Sequence, residues 1–274
     1  MPPSLLFQLF AASIVTPQTA EQFRLGLLQA LQSPDANVSK SAAQAVAALA
    51  AYDVPRGVWP NLLPTLLNNV NDVNAATMSL PTKIASLNAL GYMCETVNDI
   101  DTYEKSVVDQ ILHTVVSGME ASKPNEIKLA AIKALIDALE FTEQHFNVDQ
   151  ERNAIMSSVC NLTSCELGEV REKVYECLAL IAEQYYKFMM PYMEALFPLT
   201  ADAIASDVPQ VGKMALEFWT SMFDAESNVI DDGETSLDIG KRVLTPLIPI
   251  IWDTLLKQSE EEDDDELTIA DSVT

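Results

Sequence analysis

The densest chemistry in the sequence is the run "EEEDDDE" at residues 260–266, seven carboxylates with no base among them. Such a block repels itself and reads either as a disordered, solubilising tail or as a patch for basic protein surface. Elsewhere the residue types that do chemistry are badly spaced for it. Cys94, Cys160, Cys165 and Cys177 show no C-x-x-C spacing, and His113 and His145 are the two histidines of the chain, so no zinc-ligand set is predicted. The thiols read as buried, reduced cysteines. Glu140 and Glu143 could share a proton on paper, but "LEFTEQHF" (139–146) reads as a helix end in which Phe141 and Phe146 pack. His113, in the middle of a predicted helix, is read as a contact or solvent-facing residue. There is no glycine-rich phosphate loop, no metal constellation and no nucleophile motif, so neither catalysis nor a cofactor is expected. The chain reads as a binding protein.

Its charge says what it binds. Sixteen Lys and Arg against 40 Asp and Glu give a formal charge of −24. Nucleic acid and anionic membrane surface would be repelled, whereas a basic protein or peptide is the complement. No uninterrupted apolar run is long enough to cross a bilayer, so the protein is expected to be soluble. The opening "MPPSLLFQLFAASIV" lacks the basic start of a signal peptide, and residues 1–17 are read as an irregular or remnant segment. The sequons at Asn37 and Asn161 read as chance matches.

The elements that must carry this charge recur. Five segments share one small-and-apolar helical pattern, beginning at Val38, Thr82, Ile127, Val170 and Val211, at spacings of 44, 45, 43 and 41 residues. Within one of them Leu129, Ile132, Leu135, Ile136 and Leu139 fall on a single helical face. A period of this length belongs to two-helix repeats, in which no hairpin covers its own apolar stripe and neighbours must stack. The predicted fold is therefore all-α: an α-solenoid of stacked antiparallel helix pairs, a HEAT- or armadillo-like superhelix of five to six repeats over residues 18–258. An acidic, disordered tail is expected over 259–274. Partner helices are expected near 19–33, 58–71, 101–119, 148–163, 189–206 and 239–257. Paired prolines mark this second layer: Pro60 with Pro64, Pro191 with Pro198, and Pro246 with Pro249. Pro60 is placed at the first helical position, where no hydrogen bond is lost, and Pro64 is expected to cost one bond and bend the helix.

The stretches "DVPRGVWPNLLPTLLNNV" (53–70), "LNALGYMCETV" (87–97), "IKLAAIKALIDALEFTEQHF" (127–146), "YMEALFPLTADAIASD" (192–207) and "LEFWTSMFDAE" (216–226), followed by the acidic run, resemble the importin-β family of nuclear import receptors. The resemblance covers residues 18–266 and matches about the third through the eighth repeat of that family, as a fragment or a short relative would. It implies a part in nucleocytoplasmic protein transport, with residence in cytoplasm, nucleus and nuclear pore. The implied partners are nucleoporin phenylalanine-glycine repeats, the Ran GTPase, and importin-α or basic nuclear-localisation cargo.

Carried over by position, the resemblance assigns Leu112, Val116, Glu151, Ala154 and Ile155 to phenylalanine-glycine binding between adjacent outer helices. Ala154 departs from the family, which commonly has a larger aromatic there, and a shallower groove follows. Without the resemblance, the apolar members of this set read as ordinary repeat core. Glu217 and Asp224, with Glu260, Glu261, Glu262, Asp263, Asp264, Asp265 and Glu266, would meet Ran or a basic partner; otherwise they are a solvated acidic face. Phe218 and Trp219 are read as packing residues. The other function consistent with the pattern is a HEAT scaffold that holds protein partners without transport. Self-association through uncapped ends of the stack is a further expectation.

Overall fold

The computed structural model describes residues 16–71, 78–96 and 103–272, with backbone alone for 257–272. Every regular element among the described residues is helical. Two compact units result, Met1–Gly118 with Lys133–Phe141 and Met119–Ile132 with Thr142–Thr274.

The first unit contains α1 (Pro17–Leu31), α2 (Ala36–Asp53), α3 (Leu62–Val70), α4 (Leu80–Thr96) and α5 (Lys105–Gly118), with the later residues of α6 (Asn125–Ala138). α1 pairs with α2 and α3 with α4, and the pairs stack through α2 on α4 and α3 on α5. Local chemistry sets the boundaries. Thr16 caps α1, its hydroxyl accepting from the Thr19 N–H, with Pro17 at the first helical position. Asp35 accepts from the N–H groups of Asn37 (2.8 Å) and Val38 (3.4 Å) and so starts α2. The buried face of α2 is mostly alanine, Ala42, Ala43, Ala47 and Ala50, with Val46 and Leu49. Such small side chains let α4 lie close. α4 in turn meets α6 at Gly91, where a Cβ would come within 2.9 Å of the Ala134 Cα and 2.6 Å of an Asp137 carboxylate oxygen. Glycine is required there by space. Arg24 on α1 reaches the end of α2, donating to Asp53 at 2.8 Å while both are buried, and this bond is the main reason its guanidinium is held above its ordinary pKa.

The second unit holds the earlier residues of α6, the short α7 (Glu143–Phe146), α8 (Asp149–Asn161), α9 (Gly168–Gln184), α10 (Met193–Ser206), α11 (Pro209–Asp231) and α12 (Ile239–Ser272). α9 packs on α11 along their apolar stripes, Val170, Val174, Leu178 and Ile181 on one and Val211, Ala215, Phe218 and Met222 on the other. α10 packs on both α11 and α12. Trp219 fills the joint, its indole N–H donating to the Thr200 hydroxyl at 3.1 Å and its ring meeting Phe197 edge-on at 5.9 Å. Arg171 forms a two-pronged pair with Asp207 at 2.5 and 2.6 Å, which is the chief cause of an Asp207 pKa below the usual carboxylate range.

The repeat shows directly in the polar contacts. Asn71 donates to Thr114, 43 residues on; Thr142 and Tyr185, also 43 apart, share a hydrogen bond. Arg152 reaches Tyr192 and Tyr186 reaches Glu226, each 40 residues on. Side chains thus bond about one repeat along the chain. The five patterned segments lie in α2, α4, α6, α9 and α11, and the fold is the expected all-α stack of antiparallel helix pairs.

The prolines differ from expectation. α3 begins at Leu62, so Pro60 sits in the preceding turn, and Pro64 is the third helical residue. The helical bonds start with the Thr65 N–H on the Asn61 carbonyl, so the missing N–H of Pro64 had no partner to lose. Pro191 lies in a 3-10 turn, Met190–Tyr192. Pro198 in α10, and Pro246 and Pro249 in α12, do interrupt a helix, and all three are exposed, which leaves the released carbonyls to water. The boundary expected at 259 is not a helix end either. α12 runs on through the acidic residues to Ser272, in a stretch without glycine or proline where leucine and glutamate favour helix. The irregular segment expected at 1–17 lies largely outside the described residues. Among the described residues no helix is long and apolar enough to cross a membrane.

Candidate functional site

The residues assigned to apolar binding are divided between the two units. Leu112 and Val116 lie on α5 in the first. The buried stripe of α5 is Val108, Ile111, Leu112 and Val115, so Leu112, at 4% exposure, is core. Val116 sits at the edge of that stripe and is half-buried, and His113 faces solvent. Glu151, Ala154 and Ile155 lie on α8 in the second unit. Ile155 is 4% exposed and Ala154 is open. Glu151 is half-buried in the first turn, where the helix N-terminus favours a carboxylate, and its Oε2 is buried without a hydrogen-bond partner.

Arg152 fixes the setting of α8. Its guanidinium donates to the Phe146 carbonyl and to Asp149, both at 2.5 Å, and to the Tyr192 hydroxyl at 3.1 Å, while lying 4.7 Å over the Phe188 ring. The face of α8 that begins at Ile155 continues through Ser158 and Leu162 into a groove of about 800 Å³. Met119, Asn125, Lys128 and Cys165 also line it, and the Cys165 thiol donates to Asn125 at 3.4 Å. Sequence reasoning missed this groove. Its one local sign is the turn "SKPNE" (122–126), which supplies Asn125 to the lining.

The acidic candidates are arranged otherwise. Glu217 and Asp224 are both exposed on α11, two turns apart on one face, while Phe218, Trp219, Met222 and Ala225 are buried on the opposite face. Asp231, a further seven residues on, extends the same exposed row and was also missed; continuing the period would have found it. The residues 260–266 continue the α12 backbone, and their side chains lie outside the described set.

A buried carboxylate was missed as well. Glu226 on α11 is 8% exposed and receives four hydrogen bonds, from the Tyr186 and Ser236 hydroxyls at 2.7 Å and from the Ile239 and Gly240 N–H groups at 2.8 Å. Desolvation would raise its pKa, but the donors from Ser236, Tyr186, Gly240 and Ile239 together outweigh it and hold the carboxyl below its ordinary range. Glu226 thereby caps the start of α12. Between the two helices, α11 stops at Gly233 (φ 77°), whose N–H donates to Ile230 while the Glu234 N–H donates to Val229. The clue was a glutamate four residues after Met222, in a position the helical period marks as core.

The cysteines are free; Cys94, Cys165 and Cys177 are buried and Cys160 half-buried. Burial pushes the Cys94 thiol up to about 12 and that of Cys160 to about 11, so both stay protonated at neutral pH.

Residues 34–199 match the family described as "IPO5-like, TPR repeats". The chain is 38% identical over 258 residues to importin subunit beta-1 of Arabidopsis thaliana, across 90% of this chain and 29% of the relative. It is 32% identical over 265 residues to importin subunit beta-1 of Saccharomyces cerevisiae, across 93% of this chain and 30% of the relative. It thus spans under a third of the length of these relatives. Among solved structures, it superposes on the "Kap95:Nup1 complex" with a TM-score of 0.76 and 32% identity, covering 86% of this chain and 28% of that one. On a structure of Kap95p bound to RanGDP the TM-score is 0.79, again at 32% identity and with the same coverage.

Proposed function

Since the chain belongs to the importin-β family, we propose that it serves nucleocytoplasmic protein transport as a receptor segment, holding nucleoporin phenylalanine-glycine repeats on α5 and α8 and basic protein surface on α11. The likeness to a receptor recorded with a nucleoporin and to one recorded with Ran supports this reading, and the observation that carries it is the sequence match across nine-tenths of the chain.

Val116 and Ala154 are the accessible members of the apolar set, while Leu112 and Ile155 belong to the buried stripes of the same helices. A phenylalanine side chain buried at such a place gains about 1.5–3 kcal/mol, so one contact is weak and quickly broken. Many weak contacts along a repeat give retention with fast exchange, as passage through a pore requires. On α11, Glu217, Asp224 and Asp231 present a row of negative charge to Ran, to basic cargo or to the importin-α adaptor. Charge of this kind steers association and sets orientation more than it adds affinity. The carboxylates of 260–266 are assigned to the same partners. Such a receptor segment would move between cytoplasm and nucleus.

The test is retention on phenylalanine-glycine repeat beads, comparing wild type with an Ala154→Asp/Val116→Ser variant. The proposal expects retention of the wild type and its loss in the variant, with the helical circular-dichroism signal unchanged. No retention of the wild type would favour a scaffold without transport activity. Retention unaltered by the variant would remove α5 and α8 from the site.

A further inference from the structure

The groove beside the end of α8 lies wholly in the second unit, and its polar groups are unusually idle. Met119 and Leu162, 2% and 3% exposed, are its apolar lining. The Asn125 side-chain oxygen accepts from the Cys165 thiol and from Lys128, at 3.4 and 3.5 Å, which leaves the amide N–H₂ turned from both. Among the described residues that N–H₂ has no acceptor, the Ser158 hydroxyl has none, and Lys128 has no carboxylate partner. A half-buried lysine without a counter-charge is unexpected in a chain of net charge −24. Two idle acceptors stand with these donors: the exposed carboxylates of Glu120, in the turn after α5, and Glu166, in the turn before α9. Arg171 fixes the second turn, donating to the Cys165 and Glu166 carbonyls at 2.6 and 3.2 Å while paired with Asp207. A groove held in shape costs little ordering when it is filled, but whatever fills it must answer the donors it dries.

We propose that the groove seats the main chain of an extended, uncharged peptide stretch, the one flanking a phenylalanine held at Ala154; this rests on the reading of α8 given above. An extended backbone offers C=O and N–H groups in alternation. Lys128, Asn125 and Ser158 can donate to the first kind, and Glu120 and Glu166 can accept from the second. A basic peptide would bring its charge to Lys128 and an acidic one to Glu120 and Glu166, whereas a neutral chain meets neither penalty. The reach agrees with this occupant. Leu162 stands eight residues beyond Ala154, where α8 passes into the 3-10 turn Leu162–Ser164. That is about 12 Å along the helix, a distance that about four extended residues span. The groove's volume of about 800 Å³ also falls within the ordinary range of ligand sites.

The test is isothermal titration of residues 1–274 with two uncharged peptides. One is a short core around a single phenylalanine-glycine; the other adds about six serine, glycine and asparagine residues on each side, enough to cross the groove. Wild type should bind the long peptide several-fold more tightly than the short one, by the same factor at low and at high salt. Asn125→Ala/Ser158→Ala should remove that gain and hold the short peptide as wild type does, with the helical circular-dichroism signal unchanged. Lys128→Met, at a half-buried position, should remove part of the gain and decides the matter if the double variant unfolds. Equal affinity of wild type for the two peptides, or a gain that survives these variants, would overturn the proposal. So would a gain seen only when the added residues include lysine or glutamate. Ala154→Asp separates the groove from the reading it rests on. Weakening of both peptides supports the two together. A long peptide that Ala154→Asp leaves bound and Asn125→Ala/Ser158→Ala releases would keep the groove and remove the phenylalanine from α8.

Discussion

α5 and α8 offer apolar candidates of which the larger are interior: Leu112 and Ile155 are each 4% exposed, while Val116 is half-buried and Ala154 open. α11 offers carboxylates of two kinds on one helix, with Glu217 and Asp224 in water and Glu226 enclosed by four donors. The same residue type therefore does two jobs, and exposure separates them. An apolar side chain under a binding surface holds up the fold first and meets ligand second. An acidic side chain on a helix face can be given up by the fold at little cost.

Substitutions at the two surfaces should diverge accordingly. The largest effect is expected for Leu112→Asp or Ile155→Asp, where a charge enters a packed stripe; a loss of about 4 kcal/mol or more should appear in urea unfolding, so these variants report on folding before binding. Stability within 1 kcal/mol of wild type would show that neither position is core.

Glu226→Gln comes next. It removes the charge and turns an amide N–H₂ toward a backbone donor, and roughly 2–3 kcal/mol should be lost at neutral pH. The folded carboxyl titrates below its ordinary value of 4.5, so its contribution is complete above that pH and disappears as pH falls through the folded value. The gap between wild type and Glu226→Gln should hence close on acidification; a gap that widens would contradict the cap.

Ala154→Asp, at an open position, should cost no more than about 0.5 kcal/mol while weakening the grip on a phenylalanine-glycine peptide several-fold by isothermal titration. The smallest stability effect belongs to Glu217→Lys/Asp224→Lys, within about 0.5 kcal/mol, although the affinity for a basic peptide should drop and its salt dependence flatten. Equal losses of stability from the acidic and the buried apolar variants would erase the distinction.

The helix stack was readable because a two-helix repeat writes its core as a period: Val38, Thr82, Ile127, Val170 and Val211 each open a segment that lies within a helix. Capping chemistry is written locally too, as in the Asp35 that stands directly before α2. What local pattern could not supply was context. Pro64 looked like a helix interrupter until α3 proved to start at Leu62, which makes it a first-turn residue. Leu112 and Val116 share a helical face, yet one is core and the other its rim, a difference set by what packs against α5. Glu226 and Asp224 are neighbours in sequence with opposite surroundings, because the start of α12, supplied by residues 236–240, comes to one of them alone. The acidic run suggested a tail through charge repulsion, and the backbone continues as helix through it.

The most direct measurement of the central claim is a pair of isothermal titrations of the whole chain, with a phenylalanine-glycine repeat peptide and with a lysine-rich peptide, at low and at high salt. Separate apolar and acidic surfaces predict that the first affinity changes little with salt while the second falls steeply, and that each ligand binds in the presence of the other. Competition between the two peptides, or one salt dependence common to both, would contradict it.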